Sequence, residues 1–168
     1  MGVANATWVW CPNVSGSTTR SVASVYPGDD YVDWTCLDGY NKYQTWLGMR
    51  SVFTGSGINW LYDSYNEILS VAPNKPIMIG ETGSLEAGDG GAKKAAWLTD
   101  ALGSQLPKNL PRIKAVVLFD WDDNSPALAS LPIESSAQSI QAFKSAIASP
   151  YYAGNEFGNL NTSPIPEP

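Results

Sequence analysis

The side chains best suited to chemistry lie where predicted strands end. Glu81 follows the apolar strand Pro76–Gly80, and Tyr40 follows the strand Tyr31–Asp38. A carboxylate at such a position can attack an anomeric carbon as the nucleophile of a glycosidase, and a neighbouring phenol can hold it ionised and oriented. The competing interpretations are that Glu81 pins a loop and that Tyr40 caps the end of the sheet.

Four more residues lie at the same predicted edge and fit a sugar. Asn13 and Asp38 offer hydrogen-bonding groups, and Trp10 and Trp121 offer flat rings on which the C–H face of a pyranose can pack. Trp10 fits a core position equally well. Asp38 is more simply explained as an acceptor for backbone donors at a turn.

The composition excludes several function classes. The chain has no histidine, which removes histidine-based general bases, Ser-His-Asp triads and most zinc sites. Its net charge of −6 and scattered basic residues argue against nucleic acid, and no apolar run is long enough to span a membrane. The acidic cluster 120–124 lacks the central Gly and closing Glu of an EF-hand loop, so no metal is expected. No cofactor is expected either, because glycosidase chemistry uses protons and water.

The two cysteines, Cys11 and Cys36, form either one disulfide or two buried thiols. Spacing does not decide between them, because a bridge requires the Cα atoms to lie within roughly 7 Å. Buried thiols are favoured, because unpaired cysteine packs as a small core residue.

Periodicity predicts four successive strand-plus-helix units. Near-continuous apolar strands that alternate with helices indicate an α/β fold with a parallel sheet, either a small open sheet or half of an eight-stranded barrel. Residues 1–152 form this domain, and the proline-rich 153–168 is a tail or linker. The predicted strands are Thr7–Cys11, Tyr31–Asp38, Pro76–Gly80 and Ile113–Phe119, and the predicted helices are 17–26, 59–72, 91–106 and 136–148.

Each of the three longer helices has an apolar face at spacings of three and four residues. The predicted core-facing residues are Leu61, Tyr65, Ile68, Leu69 and Ala72 in the first, Ala95, Leu98 and Leu102 in the second, and Ile140, Phe143, Lys144 and Ile147 in the third.

Five segments between residues 5 and 152, taken in their order along the chain, resemble one enzyme family. They are TWVWCPN (7–13), YPGDDYVDW (26–34), LDGYN (37–41), KPIMIGETGS (75–84) and IKAVVLFD (113–120). Together they resemble the C-terminal half of glycoside hydrolase family 26, the β-mannanases and related β-glucanases. The resemblance implies strands five to eight of a (β/α)8 barrel, a retaining mechanism, Glu81 as the nucleophile and Tyr40 as its contact.

The chain also departs from that family's pattern. The general acid/base of the family follows the fourth strand, which would precede Met1, and no residue matches it. Leu118 stands where a strand-end Trp is expected, and Trp121 is displaced by three residues. The chain is therefore expected to be an incomplete catalytic domain that self-associates or pairs with a missing N-terminal half.

The function predicted from these observations is a retaining endo-β-glycanase acting on β-1,4-linked polysaccharide, with mannan favoured. A carbohydrate-binding protein without catalysis and a truncated product without function are the alternatives. Because polymeric β-glycans lie outside cells, the parent protein is expected to be secreted, although Met1–Asn5 shows no signal-peptide pattern.

Overall fold

The computed structural model describes residues 6–42, 48–122 and 130–152. It is an α/β fold built on one four-stranded sheet in which all neighbouring strands are parallel, as expected. The strands are β1 (Val9–Trp10), β2 (Trp34–Asp38), β3 (Ile77–Thr82) and β4 (Ile113–Leu118), and they lie side by side in chain order. This order leaves β1 and β4 as the two edges, which is consistent with a half-barrel.

Helices α1 (Met49–Thr54), α2 (Ser64–Val71), α3 (Ala92–Asp100) and α4 (Ala137–Ile147) accompany the sheet. A π-helical segment, Ala101–Asn109, continues α3, and short 3₁₀ turns occur at Val22–Val25, Asp29–Tyr31 and Ile133–Ser135.

The core lies between the helices and one face of the sheet. Leu37, Ile77 and Ile79 project from the strands into it and are fully buried. Phe53 and Leu102 are among the helical residues that meet them. Each fully buried side chain of this size contributes roughly 1.5–3 kcal/mol, so this interface supplies most of the driving force for folding.

The opposite face of the sheet carries the strand-end chemistry. Cys36 and Asp38 alternate with Leu37 along β2, so they point away from the helices. Cys36 forms a disulfide with Cys11, which follows β1. The preference for buried thiols was therefore wrong: parallel pairing of β1 with β2 brings the two Cα atoms to 4.2 Å, a proximity that sequence separation does not reveal.

Three of the predicted helix boundaries were wrong. The segment 17–26 forms only the 3₁₀ turn Val22–Val25, which Ser21 caps by accepting a hydrogen bond from the Ser24 N–H. The helix predicted at 59–72 begins at Ser64, after its cap Asp63. The helix predicted to end at residue 106 extends to Asn109, because a π-helical register accommodates Pro107, whose ring nitrogen has no hydrogen to donate.

Helix α1 was missed, because the segment after Asn41 was expected to be a loop. Its residues Met49, Val52 and Phe53 are buried at helical spacing. Gly55 ends it with a φ of 63°, a left-handed conformation that glycine adopts at no steric cost.

The predicted face of α4 was right at Phe143 and wrong at Lys144 and Ile147. Lys144 and Ile147 are exposed, whereas Ser139 and Ala146 are buried and Phe143 packs against the core. Small residues of α4 face inward because α4 packs closely against α3. The side of α4 with the larger apolar residues is therefore not the buried side.

Within the described residues, the structure contains no helix of the length and hydrophobicity needed to cross a membrane. The predicted tail 153–168 lies outside the described residues.

Candidate active site

Backbone pairing between the segments that follow β2 and β3 positions the candidate site. The Gly39 N–H donates to the Glu81 carbonyl at 3.0 Å, and the Asn41 N–H donates to the Gly83 carbonyl at 2.9 Å. The parallel ladder thus continues past the end of β2. Tyr40 and Glu81 are thereby held in adjacent strands at the carboxyl end of the sheet, where parallel α/β folds bind ligands.

The Tyr40 hydroxyl donates a short hydrogen bond to Oε2 of Glu81. The pKa of Tyr40 is raised, first by burial and then by its hydrogen bond to Glu81 and that residue's charge. The phenol therefore remains a proton donor across the physiological range. Glu81 itself is exposed, so one of its oxygens is fixed by Tyr40 while the carboxylate stays accessible from outside.

Two side chains contact the ring of Tyr40, and Gly83 lies next to it. Phe119 makes an edge contact with a centroid distance of 6.0 Å, and the Lys42 ammonium lies 3.9 Å from the ring centroid. A Cβ on Gly83 would lie 3.1 Å from Leu131 and 3.8 Å from Tyr40, so only a glycine lets these groups pack together without adjustment. Lys42 and Leu131 were not identified from the sequence.

Asp38 is the second carboxylate of the site. It pairs with Glu81 in the sheet register, and its pKa is raised to about 6 by burial, to which the charge of Glu81 adds. Cys11 Sγ lies 3.1 Å from Asp38 Oδ1. A Cβ on Gly80 would lie only 2.5–2.9 Å from the two sulfurs and this oxygen. The disulfide and Asp38 therefore pack so closely against Gly80 that a larger residue would not fit there.

The sulfurs of Cys11 and Cys36 and a carboxylate oxygen of Asp38 lie within 4.8 Å of one another. Metal binding by cysteine requires thiolates, and a disulfide offers none. In the oxidised form this cluster is therefore structural.

A cleft of about 450 Å³ adjoins the site. Its lining includes Asn13, Thr19, Asp38, Tyr40, Lys42 and Trp60. Trp60 is partly exposed there, and its carbonyl accepts a hydrogen bond from the Ser17 N–H at 2.9 Å. Trp60 was predicted to lie in the helix 59–72; it lies instead in a turn that precedes the helix start at Ser64.

The remaining predicted ligand residues do not all meet at one place. Asn13 is exposed beside Asp38, with which it forms an isolated parallel bridge. Trp10 is half-buried, packs against the core and makes an edge contact with Tyr26, so its position combines both interpretations offered for it. Trp121 follows β4 and is 63% exposed.

The loop after β4 is held by Lys94, a buried cation that the sequence did not reveal. The Lys94 ammonium donates to the carbonyls of Ser130, Leu131 and Pro132 and to the Ser135 hydroxyl, at 2.6–2.9 Å. Burial lowers its pKa to about 8, although the carboxylates of Glu86, Asp120 and Glu134 act in the opposite direction.

Asp120 holds the same loop, accepting from the Ile133 N–H at 2.6 Å. This contact, together with the hydrogen bonds from Lys94, fixes Leu131 beside Gly83. Residues 123 and 124 of the acidic cluster lie outside the described residues.

Comparison with known proteins relates the chain to one curated protein. It is 33% identical over 155 residues to Endoglucanase H of Acetivibrio thermocellus, a match that covers 87% of this chain. The chain spans only about 15% of the length of that relative. No family model matches the chain. The similarity supports a glycosidase-like relationship.

Proposed function

We propose that this chain is part of the catalytic domain of a retaining endo-β-1,4-glycanase, with Glu81 as the nucleophile and Tyr40 as the residue that orients it. In this mechanism an oxygen of Glu81 attacks the anomeric carbon, the leaving-group oxygen takes a proton from an acid, and water then hydrolyses the glycosyl ester. The hydrogen bond from Tyr40 to Glu81 is the observation that carries the proposal.

Three features of the geometry support this role for Glu81. Its carboxylate is accessible, one of its oxygens has a fixed donor, and the adjoining cleft offers both polar groups and an indole ring. A loop-pinning carboxylate would instead have backbone N–H partners, as Asp120 does. The resemblance to glycoside hydrolase family 26 and the similarity to an endoglucanase favour the same chemistry.

We further propose that the general acid/base comes from a part of the barrel that lies outside this chain. Among the described residues, β1 and β4 form the two unpaired edges of the sheet, where a barrel would continue. Pairing with an N-terminal half, or self-association of this chain through the same edges, would cover them. In the family pattern the described strands would be the fifth to eighth.

The proposed substrate is a β-1,4-linked polysaccharide, and no cofactor is required for its hydrolysis. The name of the relative favours a glucan, whereas the family resemblance favours a mannan. Because such polymers lie outside cells, we propose that the parent protein is extracellular.

Covalent labelling tests the nucleophile without needing the acid. A 2,4-dinitrophenyl 2-deoxy-2-fluoro-glycoside carries a leaving group that departs unprotonated, so an isolated nucleophile can still be trapped. Glucosyl and mannosyl versions should label one carboxylate, and mass spectrometry of peptides should locate it at Glu81. Glu81→Gln should abolish the adduct. Labelling elsewhere, or none on the wild-type chain, would refute the assignment.

Carbohydrate binding without hydrolysis is the second candidate. It is favoured because, among the described residues, Asp38 and Glu81 are the carboxylates at this site and no glutamate opposes Glu81. Calorimetric titration with gluco- and manno-oligosaccharides, combined with a reducing-sugar assay, separates the two. Saturable binding without labelling of Glu81 would favour this alternative.

A further inference from the structure

A second cleft lies at the opposite end of the sheet from Glu81. It has a volume of about 320 Å³, and its lining includes Trp8, Asp29, Asp30, Tyr31, Asp33 and Lys75. We call it the amino-terminal cleft, because Trp8 precedes β1, Asp33 precedes β2 and Lys75 precedes β3. Asp33 and Asp38 are five residues apart along β2, so the two clefts lie about 17 Å apart at roughly 3.3 Å per residue.

We propose that the amino-terminal cleft binds a pyranose unit of a β-linked oligosaccharide, independently of Glu81. Two large aromatic side chains in one small cleft carry the proposal: Trp8 is 57% exposed and Tyr31 is 73% exposed. Aromatic rings of this size are normally buried, and exposed rings beside carboxylates provide an apolar face and hydrogen-bond acceptors together. A sugar ring has the complementary surface, with C–H groups on its faces and hydroxyls at its edge.

Hydrogen bonds hold the backbone of Trp8 and two carboxylates of this cleft in place. The Trp8 N–H donates to Asp33 Oδ2 at 2.7 Å, and the Trp8 carbonyl accepts from the N–H groups of Asp33 and Trp34. Asp29 accepts from the Tyr26 hydroxyl at 2.5 Å. Because the backbone of Trp8 and the carboxylates of Asp29 and Asp33 are held before a ligand arrives, binding would cost little entropy for ordering these groups.

The chemistry of the lining selects among ligand classes. Three carboxylates face a single lysine, so phosphorylated and other anionic ligands would be repelled. A purely apolar ligand would remove water from the carboxylates of this cleft without offering them a hydrogen-bond donor, which costs desolvation free energy. A neutral polyol with an apolar face avoids both penalties.

Binding to the full chain tests the proposal, with a β-1,4-linked glucotetraose and mannotetraose as probes. Tryptophan fluorescence titration should show saturable binding that survives Glu81→Gln. Trp8→Ala and Tyr31→Ala should each weaken it by at least about fivefold, whereas Tyr31→Phe, which keeps the ring, should retain it. Tyr62→Ala removes an exposed tyrosine that does not line the cleft and serves as the control.

Circular dichroism should show that each variant is folded. The proposal is overturned if neither probe binds, or if Trp8→Ala and Tyr31→Ala bind as the wild type does. It is also overturned if binding is lost in Trp60→Ala instead, because the probe would then occupy the cleft beside Tyr40. Failure of Glu81 labelling would leave this result unaffected, so the two proposals fail separately.

Discussion

Two charged groups of this molecule, Glu81 and Lys94, are held in opposite ways. Glu81 is exposed, and its described side-chain hydrogen bond is the one from Tyr40. Lys94 is 1% exposed, and its ammonium donates to four oxygens of the loop 130–135. A buried charge is tolerated only when it is fully hydrogen-bonded, whereas an accessible carboxylate with one fixed oxygen keeps its reactivity.

The comparison separates a group that stabilises the fold from one that is available for chemistry. Lys94 joins α3 to the loop after β4 and thereby supports the packing of Leu131 beside Gly83. Glu81 adds little to stability, since water can replace its partner. Substitutions in the two regions should therefore affect different measurements.

Lys94→Met should produce the largest loss of stability. It removes the donor for three buried or half-buried carbonyls, and each unpaired group costs roughly 1–3 kcal/mol, part of which the loop recovers by relaxing. We expect the free energy of unfolding to fall by about 2–4 kcal/mol in urea titrations. Lys144→Met, at an exposed position of α4, is the control and should change it by less than about 0.5 kcal/mol. Equal effects of the two substitutions would contradict the role of Lys94 in holding the loop 130–135.

Tyr40→Phe should affect labelling and spare stability. The phenyl ring can keep its contacts with Phe119 and Lys42, but the hydrogen bond to Glu81 is lost. Because Glu81 then loses the donor that orients it for attack, the rate of labelling by the fluoro-glycoside should fall roughly 10- to 100-fold, which is about 1.4–2.7 kcal/mol in the activation free energy. Tyr62→Phe provides the control. An unchanged labelling rate would show that Tyr40 does not orient Glu81.

The contrast between Glu81 and Lys94 also explains what the sequence could reveal. The four strands were recognised because each is a short apolar run, and the parallel arrangement followed from their alternation with helices. In such a sheet all strand ends meet at one edge, so the neighbourhood of Glu81, Tyr40 and Asp38 could be inferred from chain order alone.

Lys94 and Trp60 could not be found in this way. A lysine in a helix is normally solvated, and the burial of Lys94 depends on carbonyl groups about 40 residues away in the chain. Trp60 lines the cleft because its backbone pairs with Ser17, far away in sequence. The disulfide and the buried face of α4 likewise depend on which elements pack together in the tertiary structure. Local sequence periodicity does not show which elements pack together.

Asp38→Asn should have the smallest effect on the free energy of unfolding. The sign of this effect tests whether the charge of Asp38 destabilises the fold. The folded-state pKa of about 6 lies above the ordinary value of 3.8, so Asp38 contributes stability at low pH that is lost as the pH rises through 6. An uncharged Asn should make the protein more stable than the wild type at pH 8 and leave it nearly unchanged at pH 4. Because Asp38 is only half-buried, we expect the free energy of unfolding to rise by about 1 kcal/mol at pH 8. This is well below the free energy that corresponds to the full pKa shift.

Urea unfolding of both proteins at pH 4 and pH 8 measures this difference, since the titration of groups remote from Asp38 cancels between the two proteins. Asp30→Asn, at the opposite end of the sheet, shows how much an exposed carboxylate contributes by itself. A gain at pH 8 would mean that the fold retains a destabilising charge next to Glu81, a cost that a purely structural turn residue has no reason to carry. A loss at pH 8 would place Asp38 with Lys94, among the groups that hold the fold together.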